Sequence, residues 1–568
     1  MCERDDRPGT GRRDFLKATA WAGIGHGLDP GLSRIFDPER HLPEIVRGPG
    51  AARGRIRRVT ILHTADIHGQ LDSHDEFFWE GDRAVFRKRG GFATLRTMIE
   101  SIRKESRGQV LLVDGGDTIQ GSAVAALSEG RAIVPLINRL GYDLMLPGNW
   151  EVVYGKAAMM RDFRMYSAAT VCANMFHDEG DGNRLLFPPY QIFNLGGVRI
   201  GFVGYNDPYT PTRQSPAYSR GIRFTLPEES LARYVALLKR RGCAVVCVLS
   251  HLGLTQQLHL ANQDYARGVD YVLGGDTHER TREPLPGRFA RVTEPGAFGS
   301  FLGRLDLVIE QGRIKEERYA LLEVDPDRYA PDRAMGAMVT AAKAPYQPEL
   351  SRVLGRTTTP LLRYYVIETP LDNLITDALF WRFKTDLVAS NGFRFCPPLV
   401  PGPDGSAAIT MEYLWSALPV DSNVKTAQVT GTQIKEWLER ELENVFADEA
   451  AERFGGWFVR FQGMRITFRI KAPMGRRVQE VTIGGRPLEP DTVYSMLACE
   501  RDGDPDSVLC RMKGVANPKT LDVRLHDVLV DYLARFSPVA PDIEGRAVAL
   551  DAPARLLSQV EGTGYRFR

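Results

Sequence analysis

Five times between residues 55 and 280, a short apolar run breaks off into side chains of the kind that hold a cation. "RVTILHTADIHG" is apolar through Val59–Leu62 and then delivers Asp66 and His68. "QVLLVDGGDTIQG" runs through Val110–Val113 into Asp114 and Asp117, and "YDLMLPGNWE" breaks at Pro147-Gly148 to release Asn149, Trp150 and Glu151. "CAVVCVLSHLG" ends on His251, and "VDYVLGGDTHER" ends on Asp276 and His278. Each unbroken apolar run reads as a strand covered on both faces. Helical patterns such as "GGFATLRTMIESIRKES" and "EESLARYVALLKRRG" lie between them. Strands alternating with helices predict sheets sandwiched between helix layers. The polar residues then gather at the carboxyl ends of the strands, where such folds place their sites.

Asp66, His68, Asp117, Asn149, His251, Asp276 and His278 together offer carboxylate, imidazole and amide donors. That mixture suits divalent ions such as manganese, zinc, iron or magnesium. Asp66-x-His68 and Asp276-x-His278 each put two donors on the same side of an extended segment. One such motif alone is usually a capping Asp beside a surface His, but five in series at strand ends are not explained that way. Seven donors are too many for one tetrahedral site and suit two ions sharing a bridging carboxylate. Two ions about 3.5–4 Å apart clamp the attacking and leaving oxygens of an in-line displacement.

Composition narrows the remaining classes. The chain has 568 residues, 43% hydrophobic and 25% charged, which is globular and long enough for several domains. A net charge of +2 gives no field that points to nucleic acid or an anionic membrane surface. No apolar run approaches the ~20 residues of a membrane span. None of the seven cysteines forms a CxxC pattern; Cys243 and Cys247, four apart on a strand, lie too far apart to bridge, whereas Cys499 and Cys510 could pair. The segment "GRRDFLKATAWAGIGHGL", with Arg12-Arg13 ahead of Phe15-Leu16-Lys17, resembles a twin-arginine export signal and predicts a periplasmic or other extracytoplasmic protein. Residues 1–54 are therefore read as signal and linker. Residues 55–325 form the metal domain, closed by a hairpin turning at Gln311-Gly312, and 326–355 a partly helical connector. Residues 356–568 form a second α/β domain, with "DNLITDALFWRF" and "TGTQIKEWLERELENVF" as amphipathic helices and "MRITFRI" and "VQEVTIGG" as strands.

The order "D-x-H … GD-x-x-x-G … GN-x-E … H … G-x-x-H" resembles the calcineurin-like metallophosphoesterase core, in particular the 5′-nucleotidase family with its appended C-terminal domain. The resemblance covers essentially the whole chain after residue 55. It implies a four-layer α/β/β/α sandwich followed by a smaller α/β domain that recognises substrate. It also implies one metal held by Asp66, His68, bridging Asp117 and His278, and a second held by Asp117, Asn149, His251 and the residue at 276. A metal-bridging hydroxide would be the nucleophile. Two departures matter. The family has histidine where this chain has Asp276, and the extra carboxylate favours harder ions, so manganese is expected ahead of zinc or iron. Trp150 stands where the nucleotidases have a histidine that assists the leaving group; its N–H can donate a hydrogen bond but cannot transfer a proton near pH 7.

In the second domain, Arg394 of "SNGFRFCPPL" falls where the family has a substrate arginine, with Asn391 and Phe393 beside it as further substrate candidates. The two phenylalanines that sandwich a base in nucleotidases have no counterpart: "LPVDSN" offers Val420, and "ACERD" has no aromatic residue. Tyr364 and Tyr365 could stack instead, although a strand explains them as well. The thiosulfohydrolases of bacterial sulfur oxidation resemble this chain in having Trp in the third motif, a "GFRW"-like stretch near 392–395, and Gly455-Gly456 with Val459-Arg460. They differ in keeping His at 276 and at 149. That branch implies two manganese ions and cleavage of the S–S bond of a Cys-linked sulfonate on a carrier protein, whose persulfide leaves without a strong general acid. The expectation is an exported dinuclear-metal hydrolase acting on a small anionic substrate or such a carrier, with no nucleic-acid partner. The alternative is a 5′-nucleotidase or 2′,3′-cyclic nucleotide phosphodiesterase of nucleotide catabolism. A third possibility is a metal-dependent binding protein that has lost turnover.

Overall fold

The computed structural model describes residues 42–558 apart from 48–55, 108, 181, 391–395 and 454. The twin-arginine-like segment, and Asn391, Phe393 and Arg394, lie outside the described residues.

The first domain is built on two sheets. One has six strands, in the spatial order 313–323, 301–310, 56–64, 110–114, 144–145, 169–170. The other has seven, in the order 45–47, 190–195, 198–206, 245–251, 271–274, 291–293, 285–286. Within the first, Ile56–Thr64, Val110–Asp114 and Leu144–Met145 run parallel; within the second, Val198–Asn206, Val245–His251 and Tyr271–Gly274 do. Parallel neighbours send all their carboxyl ends to one edge of a sheet, so the five polar loops emerge together. Leu95, Met98 and Ile99 of the helix Phe92–Glu105 share a core with Ile61, Leu62 and Leu111 of the six-stranded sheet. Leu231, Tyr234 and Leu238 of the helix Leu231–Arg240 do the same with Val203, Val246 and Val248 of the other. This is the expected α/β/β/α sandwich.

The expected hairpin is present: Glu310 pairs with Arg313, and Gln311 and Gly312 turn with φ of 51° and 75°, as a two-residue mirror-image turn requires. One boundary differs. Ile45–Arg47, assigned by sequence to the linker, pairs in parallel with Phe193–Leu195 as an edge strand of the seven-stranded sheet. Three residues beside a proline carry too little periodicity to be seen, and the sheet edge supplies what local sequence lacks.

The second domain holds a five-stranded and a four-stranded sheet. Thr430 begins the helix Gly431–Phe446 with a reciprocal cap, its hydroxyl accepting the Gln433 amide at 3.2 Å while the Gln433 side chain accepts its own amide at 2.9 Å. The helix Pro370–Phe383 is not the amphipathic element expected. Every residue from Leu371 to Thr376 is buried, because the helix runs between the five-stranded sheet and the helix Leu525–Phe536. Its polar residues are satisfied inside: Asp372 accepts from Arg363 at 3.0 Å and from Arg460 at 3.2 Å.

The domains are joined by a buried charge cluster. The hairpin Ser73–Glu80/Arg83–Gly90 brings Glu76 against Arg280 at 2.7 Å, and the Tyr364 hydroxyl donates to the same carboxylate. Phe77 stacks on Tyr364 at 4.8 Å. Tyr364 and Tyr365 are thus buried at the domain joint, outside any strand, because the hairpin supplies the aromatic surface they cover. Cys499 and Cys510 are free thiols.

Candidate metal centre and its cavity

Six of the seven donors expected from sequence sit just beyond a strand, His251 is the last residue of the strand Val245–His251, and the chain is strained to place five of them. Asp66, His68, Asp117, Asp276 and His278 have φ of 55°, 51°, 56°, 90° and 61°. Left-handed non-glycine residues cost of order 1–3 kcal/mol each and persist only where the surroundings over-determine them. Here main-chain bonds do so: the Asp66 amide donates to the Gly116 carbonyl at 2.8 Å, and the His68 amide to that of Asp117 at 2.9 Å. Gly148 is required by close approach, since a Cβ there would lie 2.2 Å from Asp117 Oδ1.

Two sets of donor atoms converge, Asp66–His68–His278 and Asp66–Asp117–His251, each within 4.8 Å. His68 directs Nδ1 at the Gln120 carbonyl at 2.9 Å and His251 directs Nδ1 at the Gly115 carbonyl at 2.7 Å. A carbonyl accepts a hydrogen bond from each Nδ1–H, so both Nε2 atoms turn inward as ligand-type lone pairs. His251 Nε2 lies 3.2 Å from Asp117 Oδ2 and 3.9 Å from both Asp66 Oδ1 and Asp276 Oδ1. His68 Nε2 lies 3.0 Å from His278 Nε2 and 3.8 Å from Asp117 Oδ2. Asp66 is common to both sets, and Asp117 Oδ2 faces both His251 and His68.

The electrostatics call for cations. Burial, with the neighbouring Asp117 and Asp276 carboxylates, pushes Asp66 up to about 7 against the pull of His251. Burial also works to raise Asp117, but His251, His68 and the Trp150 amide hold it down at about 2. Burial lowers His68 to about 4. At His251 burial opposes a charged ring, yet Asp117, Asp66 and Asp276 outweigh it and raise the ring well above its ordinary range. Imidazole lone pairs and buried carboxylates aimed at one space fit divalent metal ions, which relieve both the repulsion and the desolvation.

Glu151 organises the loops rather than lining the ions. One of its oxygens accepts the amides of Gly148 and Asp117 at 2.6 and 2.9 Å, and the other those of Thr118 and Ile119 at 2.6 and 3.3 Å. Burial, with Asp117 nearby, pushes its carboxyl up to about 8.

Asn149 and Asp276 are drawn into a network that sequence reasoning missed. Asp276 Oδ1 accepts from Asn149 Nδ2 at 2.6 Å, and its Oδ2 accepts from Arg213 at 2.9 Å. Gln214 donates to Asn149 Oδ1 at 2.9 Å, and Arg213 also lies 3.3 Å from Asp207. A signal existed: "VRIGFVGYND" is a sixth apolar run, and it ends on Asn206 and Asp207 just ahead of Arg213.

A cavity of about 490 Å³ opens on the cluster, within the range of small-molecule sites. His68, Asp117, Asn149, Trp150, Arg213 and Asp276 are among the residues that line it from the first domain, and Trp457 and the Glu441–Arg511 ion pair line it from the second. Trp150 is half-buried, its amide donating to Asp117 Oδ1 at 2.8 Å. It also borders a smaller cavity of about 90 Å³ lined by Val420, Cys499 and Ser390. Trp150 therefore lines both cavities.

A paired-sheet sandwich with histidines and carboxylates at its strand ends defines the class: a metal-dependent hydrolase of the metallophosphoesterase type. Residues 59–280 match the calcineurin-like phosphoesterase family and residues 353–498 the 5′-nucleotidase C-terminal domain, and the chain belongs to the 5′-nucleotidase family of calcineurin-like metallophosphoesterases. It is 24% identical to a snake venom 5′-nucleotidase of Crotalus adamanteus, over 86% of this chain and 88% of that one. It is likewise 24% identical to the 5′-nucleotidase of Vibrio cholerae, over 85% and 91%. Among solved structures it is similar to the sulfate thiohydrolase SoxB of Thermus thermophilus in complex with glycerol, with 26% identity, a TM-score of 0.78, and 88% of this chain and 98% of that one covered. A 5′-nucleotidase precursor from the same species shares the fold, with a TM-score of 0.73 at 23% identity, covering 88% of this chain and 100% of that one. Among the described residues no helix is long and apolar enough to cross a membrane.

Proposed function

We propose that the chain is an exported two-metal hydrolase acting on an activated sulfonate or phosphoryl group whose leaving group departs without a general acid. Trp150 carries the reading. It stands in the cavity wall beside Asn149 and offers an N–H where proton transfer would need an imidazole. A persulfide is acidic enough to leave unaided, and the likeness to SoxB supports a thiosulfohydrolase-like substrate, either a small anion or a Cys-linked sulfonate on a carrier protein. The Arg12-Arg13 segment supports export to the periplasm.

In this reading Asp66, His68, Asp117 and His278 hold one ion, and Asp117, Asn149, His251 and Asp276 face the other, with manganese favoured over zinc or iron by the carboxylate count. The metals when bound supply Lewis acidity and lower the pKa of water. The protein does the positioning. The Gln120 and Gly115 carbonyls aim the two imidazoles, Glu151 locks the Asp117 loop to the Gly148 loop, and Trp150 bounds the space beside the reacting group.

A second reading, a 5′-nucleotidase or 2′,3′-cyclic nucleotide phosphodiesterase, is favoured by Tyr209 and Trp457, which bring aromatic rings to the cavity wall in place of the absent phenylalanines. Arg394, Asn391 and Phe393 follow Ser390 of the smaller cavity and are the proposed substrate contacts of the second domain. The manganese-loaded enzyme assayed on AMP, a 2′,3′-cyclic nucleotide, an aryl phosphate and a cysteine S-thiosulfonate peptide separates the readings. Turnover of the aryl phosphate and sulfate release from the peptide, with AMP slow, are expected. Fast, base-dependent turnover of AMP would establish the nucleotidase reading instead.

A further inference from the structure

Arg213 is a cation delivered to the reaction cavity by an element outside the five metal loops. It ends the short helix Thr210–Arg213, which follows the strand Val198–Asn206. Its side chain is 17% exposed, and that exposed part lines the cavity with His68, Asp117, Asn149 and Trp150. Two carboxylates from different strand ends hold it: Asp276 at 2.9 Å and Asp207 at 3.3 Å, the latter itself fixed by the Tyr209 amide at 2.9 Å. The second domain pins the same loop, since Arg501 donates to the Thr212 carbonyl at 3.0 Å and to that of Gln214. Across the cavity the other arginine among the described lining residues, Arg511, is bound to Glu441 through both Nε and a terminal nitrogen.

A reacting sulfonate or phosphoryl group is anionic and gathers charge on its oxygens as the bond to the leaving group stretches. Stabilising that charge needs a positioned donor, and a planar guanidinium fits two oxygens of such a group. Trp150 brings one neutral N–H, and the Asn149 amide is occupied by Asp276 and Gln214. We propose that Arg213 binds the anionic head of the substrate at the metal centre and stabilises its developing charge, with Asp276 and Asp207 as its positioning residues. Asp276 thereby gains a role that a neutral histidine at that position would not fill, because a carboxylate brings a counter-charge as well as a hydrogen bond to the guanidinium. This inference rests on the hydrolase reading above.

The test compares wild type with Arg213→Ala, Arg213→Lys and the double variant Arg213→Ala/Asp276→Asn. The double variant removes the acid that the single variant leaves without its partner. Each is measured for bound manganese by elemental analysis, for affinity towards inorganic phosphate and sulfate by calorimetry, and for kcat and KM on an aryl phosphate. The expected result is manganese content unchanged in the two single variants, oxyanion affinity reduced about 10-fold or more in both alanine variants, and kcat reduced about 100-fold with partial recovery in Arg213→Lys. Unchanged oxyanion affinity in the folded variants overturns the proposal. So does loss of manganese in Arg213→Ala matched by the same loss in the double variant, which would make Arg213 only a restraint on Asp276. The hydrolase reading fails separately, if wild type binds manganese and phosphate but turns over no ester.

Discussion

Glu151 accepts the main-chain amide of Asp117 at 2.9 Å with the same oxygen that takes the Gly148 amide at 2.6 Å. One buried carboxylate thus ties together the two loops that present Asp117 and the Asn149–Trp150 pair. A glutamine in its place would turn one acceptor into an amide donor facing main-chain N–H groups. Glu151→Gln is expected to cost about 1–3 kcal/mol of stability for the unsatisfied donors and to weaken metal retention about 10- to 100-fold. Thermal unfolding and elemental analysis check both.

Asp117 faces His251 at 3.2 Å and His68 at 3.8 Å, so both metal positions depend on it. Asp117→Asn is expected to lower aryl phosphatase activity at least about 100-fold with the fold intact, since a shared anionic ligand is lost. Full activity in a folded Asp117→Asn variant would end the two-metal account.

Trp150→His restores a group able to move a proton beside Asn149. If a missing general acid limits turnover of poor leaving groups, AMP hydrolysis should rise about 100-fold while the aryl phosphate rate changes little. No rise in AMP hydrolysis would mean that the indole is not what limits the enzyme.

Gln256 donates its side-chain amide to the carbonyls of Ala450, Ala451 and Arg453 at 3.0, 2.9 and 3.1 Å. It therefore fastens to the first domain the loop that leads to Gly455 and Trp457 in the cavity wall. Gln256→Ala should raise KM several-fold and leave kcat within about twofold, because it loosens a wall without touching the reacting atoms. Steady-state kinetics on the aryl phosphate decides this.

Acid stability should depend on the domain joint. Burial works to raise the Glu76 carboxyl, but Arg280 and His74 outweigh it and hold Glu76 below the usual carboxylate range. A carboxyl lowered in the folded state contributes stability above its unfolded value and loses it as pH falls through the folded value. Glu76→Gln should flatten that acid limb, and at neutral pH it should cost about 3–5 kcal/mol by leaving Arg280 buried without its counter-charge. Melting temperatures from pH 7 down to pH 3 measure both effects.

Much of the site is legible in the sequence because its grammar is local. Asp66-x-His68 and Asp276-x-His278 follow short apolar runs, and a parallel strand ends where its side chains can meet a ligand. The hairpin at Gln311-Gly312 is legible for the same reason, since a two-residue turn writes its φ requirement into one dipeptide. The helix Pro370–Phe383 reads as amphipathic in isolation, because the burial of its residues from Leu371 to Thr376 comes from a sheet and a helix far away in sequence. Tyr364 and Tyr365 are ambiguous without the hairpin that covers them, whose Glu76 lies 288 residues before Tyr364.

The sequence by itself determined the candidate donors and the layered α/β class, because these follow from spacing along single strands, and the order of its motifs carried the resemblance to the family. Tertiary structure alone decided how those donors are used. Asp276 and Arg213 are 63 residues apart, and only the convergence of two strand ends makes them an ion pair. Glu151 similarly became the clamp of the metal loops rather than another ligand, because four amides from two loops surround it. A residue's type limits what it can bind, but its partners are set by which elements the fold brings within hydrogen-bond reach.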